Sequence, residues 1–300
     1  MIMNDFKKYL LDSAGMRVFI YMFSLLVCLV IGAAITYWLA EGDNILWLKV
    51  GQGVSSALLF IVPPLVLYAF TRNQPLREIG FKHPNSYGML LIGTVLVFVT
   101  LPLTNLLTSW NESMKLPEAL AQLEAWMEQM EKTAGDFTER MLQVDTFGGL
   151  LGNLLVIALI PAVGEELTFR GLLQQSLVRR CKNPHVGIIL SAAVFAFIHF
   201  QFYGFLPRLF LGILLGYLFH YSGSLWTSIL MHFINNGSAV VVAYLDHKGI
   251  TQMDWEHFGE TDHVWILIAS ALLTVGLIFL SYKTSNKHGR QQSESPYRIE

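Results

Sequence analysis

The stretch that decides the fold is "GEELTFRG", Gly164 to Gly171. It places two adjacent glutamates and an arginine between "LLGNLLVIALIPAV" (150–163) and "GLLQQSL" (171–177). Ionised carboxylates are among the costliest groups to put in apolar surroundings. The flanks ask whether those surroundings are a membrane. The chain has 300 residues, 53% hydrophobic and only 14% charged, where a soluble domain carries about 25% charged residues. Mean hydropathy is +0.48. The apolar residues gather into stretches at 17–40, 50–70, 89–110, 147–169, 185–203, 206–222, 224–245 and 263–282. Each is near the roughly 20 residues that cross about 30 Å of hydrocarbon. A greasy soluble protein would need an amphipathic period, and the first and last stretches are apolar all round. The sequence therefore predicts an all-α polytopic transmembrane helix bundle of about eight spans.

Charge sets the expected orientation. Lys7, Lys8 and Arg17, then Arg72, Arg77 and Lys82, then Arg179, Arg180 and Lys182, and finally Lys283, Lys287, Arg290 and Arg298 fall on one side. The alternate connections are acid-rich: Glu41 and Asp43, the 111–146 segment, and Asp246, Asp254, Glu256, Glu260 and Asp262. Basic loops stay cytoplasmic, which puts both termini inside. The first apolar run is longer than a signal-peptide core, so it reads as a span. Cys28 and Cys181 give neither a disulfide framework nor a metal spacing. No basic patch points to nucleic acid; the expected surroundings are the lipid bilayer. The organisation expected is 1–146 for the N-terminal helices and an outer amphipathic segment, 147–245 for a catalytic core, and 246–300 for a last span and a polar tail. In the outer segment Leu116, Leu120, Leu123, Met127 and Met130 recur at helical spacing with glutamates between them. It reads as a helix lying on the membrane surface or on the bundle.

Ionisable residues inside spans are functional by default. Glu165, Glu166 and Arg170 lie in the fourth span, His199 in the fifth ("FAFIHF") and His232 with Asn236 in the seventh ("MHFINNGS"). His220, His247, His257 and His263 fall at turns or in the acidic outer loop and read as solvated surface. Glu165 and His199 flank the "CKNP" turn by about 17 residues each, so an antiparallel hairpin brings them level. Pro161 and Gly164 are expected to kink the fourth span. "QFYGFLP" after His199 is expected to turn within the membrane, which is tolerable only where protein or a cavity surrounds it. Glu166 and Arg170, four apart, share a helix face and can pair. Glu165 is rotated about 100° away and left free, a candidate general base. His199 can hold a water jointly with it. His232 and Asn236, again four apart, can donate hydrogen bonds to a developing oxyanion. Taken singly, each has a plainer structural reading: a packing salt bridge, a helix-to-helix hydrogen bond, polar glue between helices. Weight comes from finding all of them on three spans.

In order and spacing these motifs resemble one family. "EELTFR" fits E-E-x-x-x-R, "FAFIH" (Phe195 to His199) fits F-x-x-x-H, and "HFINN" fits H-x-x-x-N. The set resembles the CPBP intramembrane proteases: CAAX prenyl endopeptidases of the Rce1 type, bacteriocin-processing and immunity proteins, and lysostaphin-resistance-like proteins. The resemblance covers 147–245. It implies an intramembrane endopeptidase with Glu165 as catalytic glutamate, His199 as its water-activating partner and His232 and Asn236 as oxyanion residues. Glu166, Arg170 and Phe195 complete and support the motifs. Peptide or membrane-protein substrates and a bacterial inner membrane are the expected setting. A glutamic mechanism without a metal is favoured, because no H-E-x-x-H occurs and Asn is a poor zinc ligand. Zinc on Glu165, His199 and His232 is the metalloprotease alternative. Two other functions compete: a non-catalytic immunity or scaffold protein of the same fold, and a proton-coupled transporter. The transporter is disfavoured because the polar residues fall only in the second half and no repeat is visible.

Overall fold

A computed structural model describes residues 14–40, 44–72, 74–251 and 263–289. Lys7, Lys8, Glu41, Asp43, Asp254, Glu256, His257, Glu260, Asp262, Arg290 and Arg298, with much of the charge argument and the polar tail, lie outside those residues. All described secondary structure is helical. In chain order the helices are α1 (Ala14–Ala40), α2 (Ile45–Phe60), α3 (Val62–Thr71), α4 (Pro75–Ile79), α5 (Gly88–Val99), α6 (Leu101–Glu112), α7 (Ala121–Leu142), the continuous α8 (Phe147–Cys181), α9 (Pro184–Phe197), α10 (Phe205–Ser222), α11 (Leu225–His247) and α12 (Val264–Gly289).

Six of these segments are long and apolar enough to cross a membrane: α1, α2 with α3, α8, α10, α11 and α12. The protein is thus a multi-pass all-α membrane protein. The eight spans expected become six, or seven if the bent pair α5 and α6 counts as one, because two of the apolar stretches differ from simple spans. The third is the pair α5 and α6, bent by 47°. Pro102, in the first turn of α6, has no N–H to donate and its ring crowds the carbonyl four residues back, so the helix cannot continue straight. The fifth is α9, which has only 14 residues, about 21 Å of helix. It stops short of a full crossing, and the chain breaks at 198–201 before a 3-10 turn at Phe202–Gly204.

Helix α8 has 35 residues, about 52 Å at 1.5 Å per residue, so it runs well beyond the hydrocarbon. Two π-helical stretches interrupt it, Leu154–Leu159 and Leu167–Gln174, on either side of the regular turn Ile160–Glu166. The first lies just ahead of Pro161. A wider turn absorbs the missing N–H and the clash with the carbonyl of Ile157 without ending the helix. Gly164 is where α8 meets α2: a Cβ there would lie 2.9 Å from the Cβ of Phe60.

Helices α8, α10 and α11 form the middle of the bundle. Two apolar clusters lock them to the rest. Met89 and Leu96 of α5 pack with Leu215, Leu218 and Met231. Tyr68 and Ile79 pack with Leu167, Phe219, Leu225 and Ile229. Helix α1 stands at the margin and exposes Val18, Phe19, Phe23, Leu26 and Val30, the expected outer surface of a helix that faces lipid. Helix α7 is the amphipathic helix expected in the outer segment. Leu120, just before it, and its own Leu123, Trp126 and Phe137 are exposed, while Glu124 and Glu131 are half-buried on its inner side. Its exposed surface also carries Glu128, Gln129, Lys132, Asp136 and Glu139, so apolar and charged side chains share it, as suits a helix in the membrane interface.

Candidate active site

Glu166 is completely buried and Arg170 nearly so. One turn of α8 brings Arg170 Nη1 to within 2.7 Å of Glu166 Oε1. The guanidinium has two further tasks. Its Nη2 donates to the carbonyl of Gly212 on α10 at 2.9 Å, and its face lies over the Phe195 ring of α9 at 4.9 Å. Arg170 therefore ties three helices together. The fixed fork of its donors suits that geometry better than a lysine point charge would. The Glu166–Arg170 pairing read from sequence spacing is present, and it is more deeply buried than spacing alone could say.

The partner of Glu166 that the sequence did not reveal is His232. Its Nδ1 lies 2.9 Å from Glu166 Oε1 across the α8–α11 interface. The other ring nitrogen, Nε2, lies 3.7 Å from Glu165 Oε2. That is too long for a hydrogen bond but within reach of an ion pair or a bridging water. His232 thus stands between the two adjacent glutamates, with one ring nitrogen for each. Glu166 Oε2 meets no hydrogen-bond partner of good geometry among the described residues. Glu165 is the less enclosed acid, with its side chain 12% exposed where Glu166 has none.

His199 follows the last turn of α9. Its Nδ1 lies 2.8 Å from the carbonyl of Phe195, so Nδ1 carries the proton and Nε2 is left as an acceptor. Phe195 is the common wall: its ring meets His199 at 5.0 Å, His232 at 6.0 Å and Phe169 at 5.2 Å, each edge to face. No hydrogen bond or ion pair joins Glu165 to His199 among the described residues. Their common neighbour is His232, which faces Glu165 at 3.7 Å and shares the Phe195 ring with His199. Asn236 lies one turn beyond His232 on α11, and its Oδ1 accepts from Asn235 Nδ2 at 3.2 Å, which leaves its own amide hydrogens to donate.

The turn after His199 is irregular, as expected, and protein groups satisfy its backbone. Asn111 donates to the carbonyl of Phe202 and accepts from the amide of Leu206. Glu131 accepts from the amide of Tyr203. Phe200 has φ of +52°, an uncommon conformation for a bulky residue. Such strain costs about 1–3 kcal/mol and persists where surroundings impose it, often at functional sites. Other histidines stand apart. His247 meets Asp145 at 3.2 Å. His220, expected on solvated surface, is instead half-buried against Tyr221, with ring centroids 5.1 Å apart.

For a metal, the donor types fit, since each histidine has its Nδ1 held by a carboxylate or carbonyl, an arrangement common for ligating imidazoles. The placement does not: among the described residues no three His, Cys, Asp or Glu side chains come together as a metal-holding group.

Residues 147–238 match the family of type II CAAX prenyl endopeptidases, Rce1-like. The match contains every residue of the three motifs. No curated protein and no solved structure matches the chain. At the level of the family, the match supports intramembrane proteolysis by a multi-pass membrane protein.

Proposed function

We propose, for a chain that belongs to the CPBP family through its Rce1-like segment, an intramembrane endopeptidase that hydrolyses peptide bonds with a water activated by Glu165. The observation that carries this is the unequal treatment of two adjacent acids. Glu166 is spent on Arg170 and His232. Glu165 has no hydrogen-bonded partner among the described residues and faces a histidine at 3.7 Å.

Glu165 takes a proton from the attacking water as the water oxygen bonds to the carbonyl carbon. His199, its Nε2 free to accept, orients that water. When the tetrahedral intermediate collapses, the C–N bond breaks and Glu165 returns the proton to the leaving amine. The oxyanion is held by the amide hydrogens of Asn236 and by His232. The Glu166 contact sets a condition on His232. Its Nδ1–H donates to Glu166, so Nε2 can donate to an oxyanion only when the ring is an imidazolium. Arg170 and Phe195 act through the others, as brace and wall. The substrate is a peptide or membrane-protein segment reached from the bilayer, and the cell membrane of a bacterium is the setting we favour.

The test uses the purified chain in liposomes with an internally quenched farnesylated C-a-a-X peptide and its unprenylated counterpart. Cleavage of either should be seen, with two fragments by mass. Glu165→Gln keeps shape and should lose roughly 10²–10⁴-fold in rate while still capturing the peptide. Full activity in Glu165→Gln would sink this mechanism; loss confined to Glu166→Gln would reverse the assignment of the pair. Activity lost on chelation and restored by zinc would replace the glutamic reading with a metal one.

A further inference from the structure

The break between α9 and α10 is held by charged groups that the three motifs do not include. Its centre is Gln201, two residues after His199. From one side Arg208 of α10 grips it twice: Nη1 donates to the Gln201 carbonyl at 3.1 Å and Nη2 to Gln201 Oε1 at 2.7 Å. From the other side comes Glu131 of α7. Its Oε1 accepts from Gln201 Nε2 at 3.3 Å and its Oε2 from the Tyr203 amide at 3.2 Å. The side-chain amide of Gln201 is therefore caught between a cation and an anion, each on the half that suits its charge. Trp126, also on α7, packs its ring 5.5 Å from that of Phe202. Gly204 completes the fit, because a Cβ there would overlap the guanidinium of Arg208. Between this clamp and α9 lies Phe200, with its left-handed backbone. A bulky residue holds that conformation only where neighbours impose it.

We propose that Glu131 and Arg208 are positioning residues for His199: they clamp Gln201 from α7 and α10 and so fix the strained turn from which His199 is presented. Glu131 lies outside the segment 147–238 that matches the family. Helix α7, a surface helix by sequence, reaches the turn after His199 through the Glu131 carboxylate. The role in catalysis rests on the reading of His199 as the water-orienting residue; the clamp itself does not.

The test therefore reads structure and rate separately, on the full chain in lipid nanodiscs. Hydrogen exchange is followed across 198–206, and the imidazole nitrogens of His199 by their ¹⁵N signals. Cleavage of the quenched peptides gives kcat and KM. Glu131→Ala should raise exchange at 198–206 with α9 and α10 unchanged, and should shift the His199 signal. It should lower kcat by about 10–100-fold, the loss expected for hydrogen bonds to a charged group, with KM nearly constant. Glu131→Gln keeps one acceptor oxygen and should fall between it and the parent. Arg208→Lys, which keeps charge without the fork, should resemble Glu131→Ala and guards against misfolding on full truncation. In a His199→Asn background the Glu131→Ala loss should vanish, because the group being positioned is gone. Unchanged exchange and an unchanged His199 signal in Glu131→Ala would overturn the clamp. An undiminished Glu131→Ala loss in the His199→Asn background would overturn the positioning role and leave a structural contact. If the clamp readouts shift as expected but the parent cleaves neither peptide, the clamp stands and the protease reading fails.

Discussion

Replacing Arg170 by alanine should cost this protein more stability than any other single change in the site. The guanidinium is 1% exposed and its partner Glu166 not at all. Removing one member of a buried ion pair leaves the other charge uncompensated, at about 3–5 kcal/mol. Glu166 is poorly placed to bear this, since among the described residues Oε2 meets no hydrogen-bond partner of good geometry and Oε1 would be left with His232. The Gly212 carbonyl also loses its donor, worth about 1–3 kcal/mol for a buried polar group left unsatisfied. The two losses share one side chain and do not simply add, so about 4–6 kcal/mol is the expected range. Arg170→Lys keeps the charge but cannot reach Glu166 and Gly212 together, and should lose roughly half as much. Adding Glu166→Gln to Arg170→Ala removes the stranded charge and should restore part of the loss. Unfolding by SDS titration in mixed micelles, followed by tryptophan fluorescence, measures all three variants. A single Arg170→Ala variant as stable as the parent, or a double variant less stable than Arg170→Ala, would refute the buried-pair argument.

Asn236→Ala should lower kcat by about 10²–10³-fold with little change in KM, measured on the quenched peptides; a change in KM alone would assign Asn236 to substrate binding instead. The orientation expected from loop charge is tested by single cysteines at Gln129 and Asn286 in a background free of Cys28 and Cys181: an impermeant thiol reagent should label the first from outside the cell and not the second, and the reverse would overturn the charge argument. Gly187→Ala should destabilise by about 1–3 kcal/mol, since its Cβ would lie 2.7 Å from the backbone nitrogen of Val178 where α8 and α9 meet; a melting temperature equal to the parent's would show that the hairpin can spread.

The fold class was legible in the sequence because the solvent imposes it. In hydrocarbon every backbone group must be bonded within the chain, so long apolar runs with few charges can only be helices or a closed barrel. The Glu166–Arg170 pair was legible for a local reason, since four residues on a helix place two side chains on one face. The roles of Glu165, His199, His232 and Asn236 came instead from the resemblance of the three motifs to a family, and they stand as a proposal. What spacing could not give was the pairing across helices. That His232 sits between Glu165 and Glu166, rather than beside Asn236 alone, depends on the rotation of α8 against α11, and two π-helical stretches in α8 reset that rotation. Likewise the early end of α9 was not legible, because the turn that follows it is held by side chains of α6, α7 and α10. Glu131 looked like one of several surface acids on an amphipathic helix. Only the packing of α7 against the turn after His199 selects it, because a contact between residues seventy positions apart leaves no period in the sequence for a local reading to find.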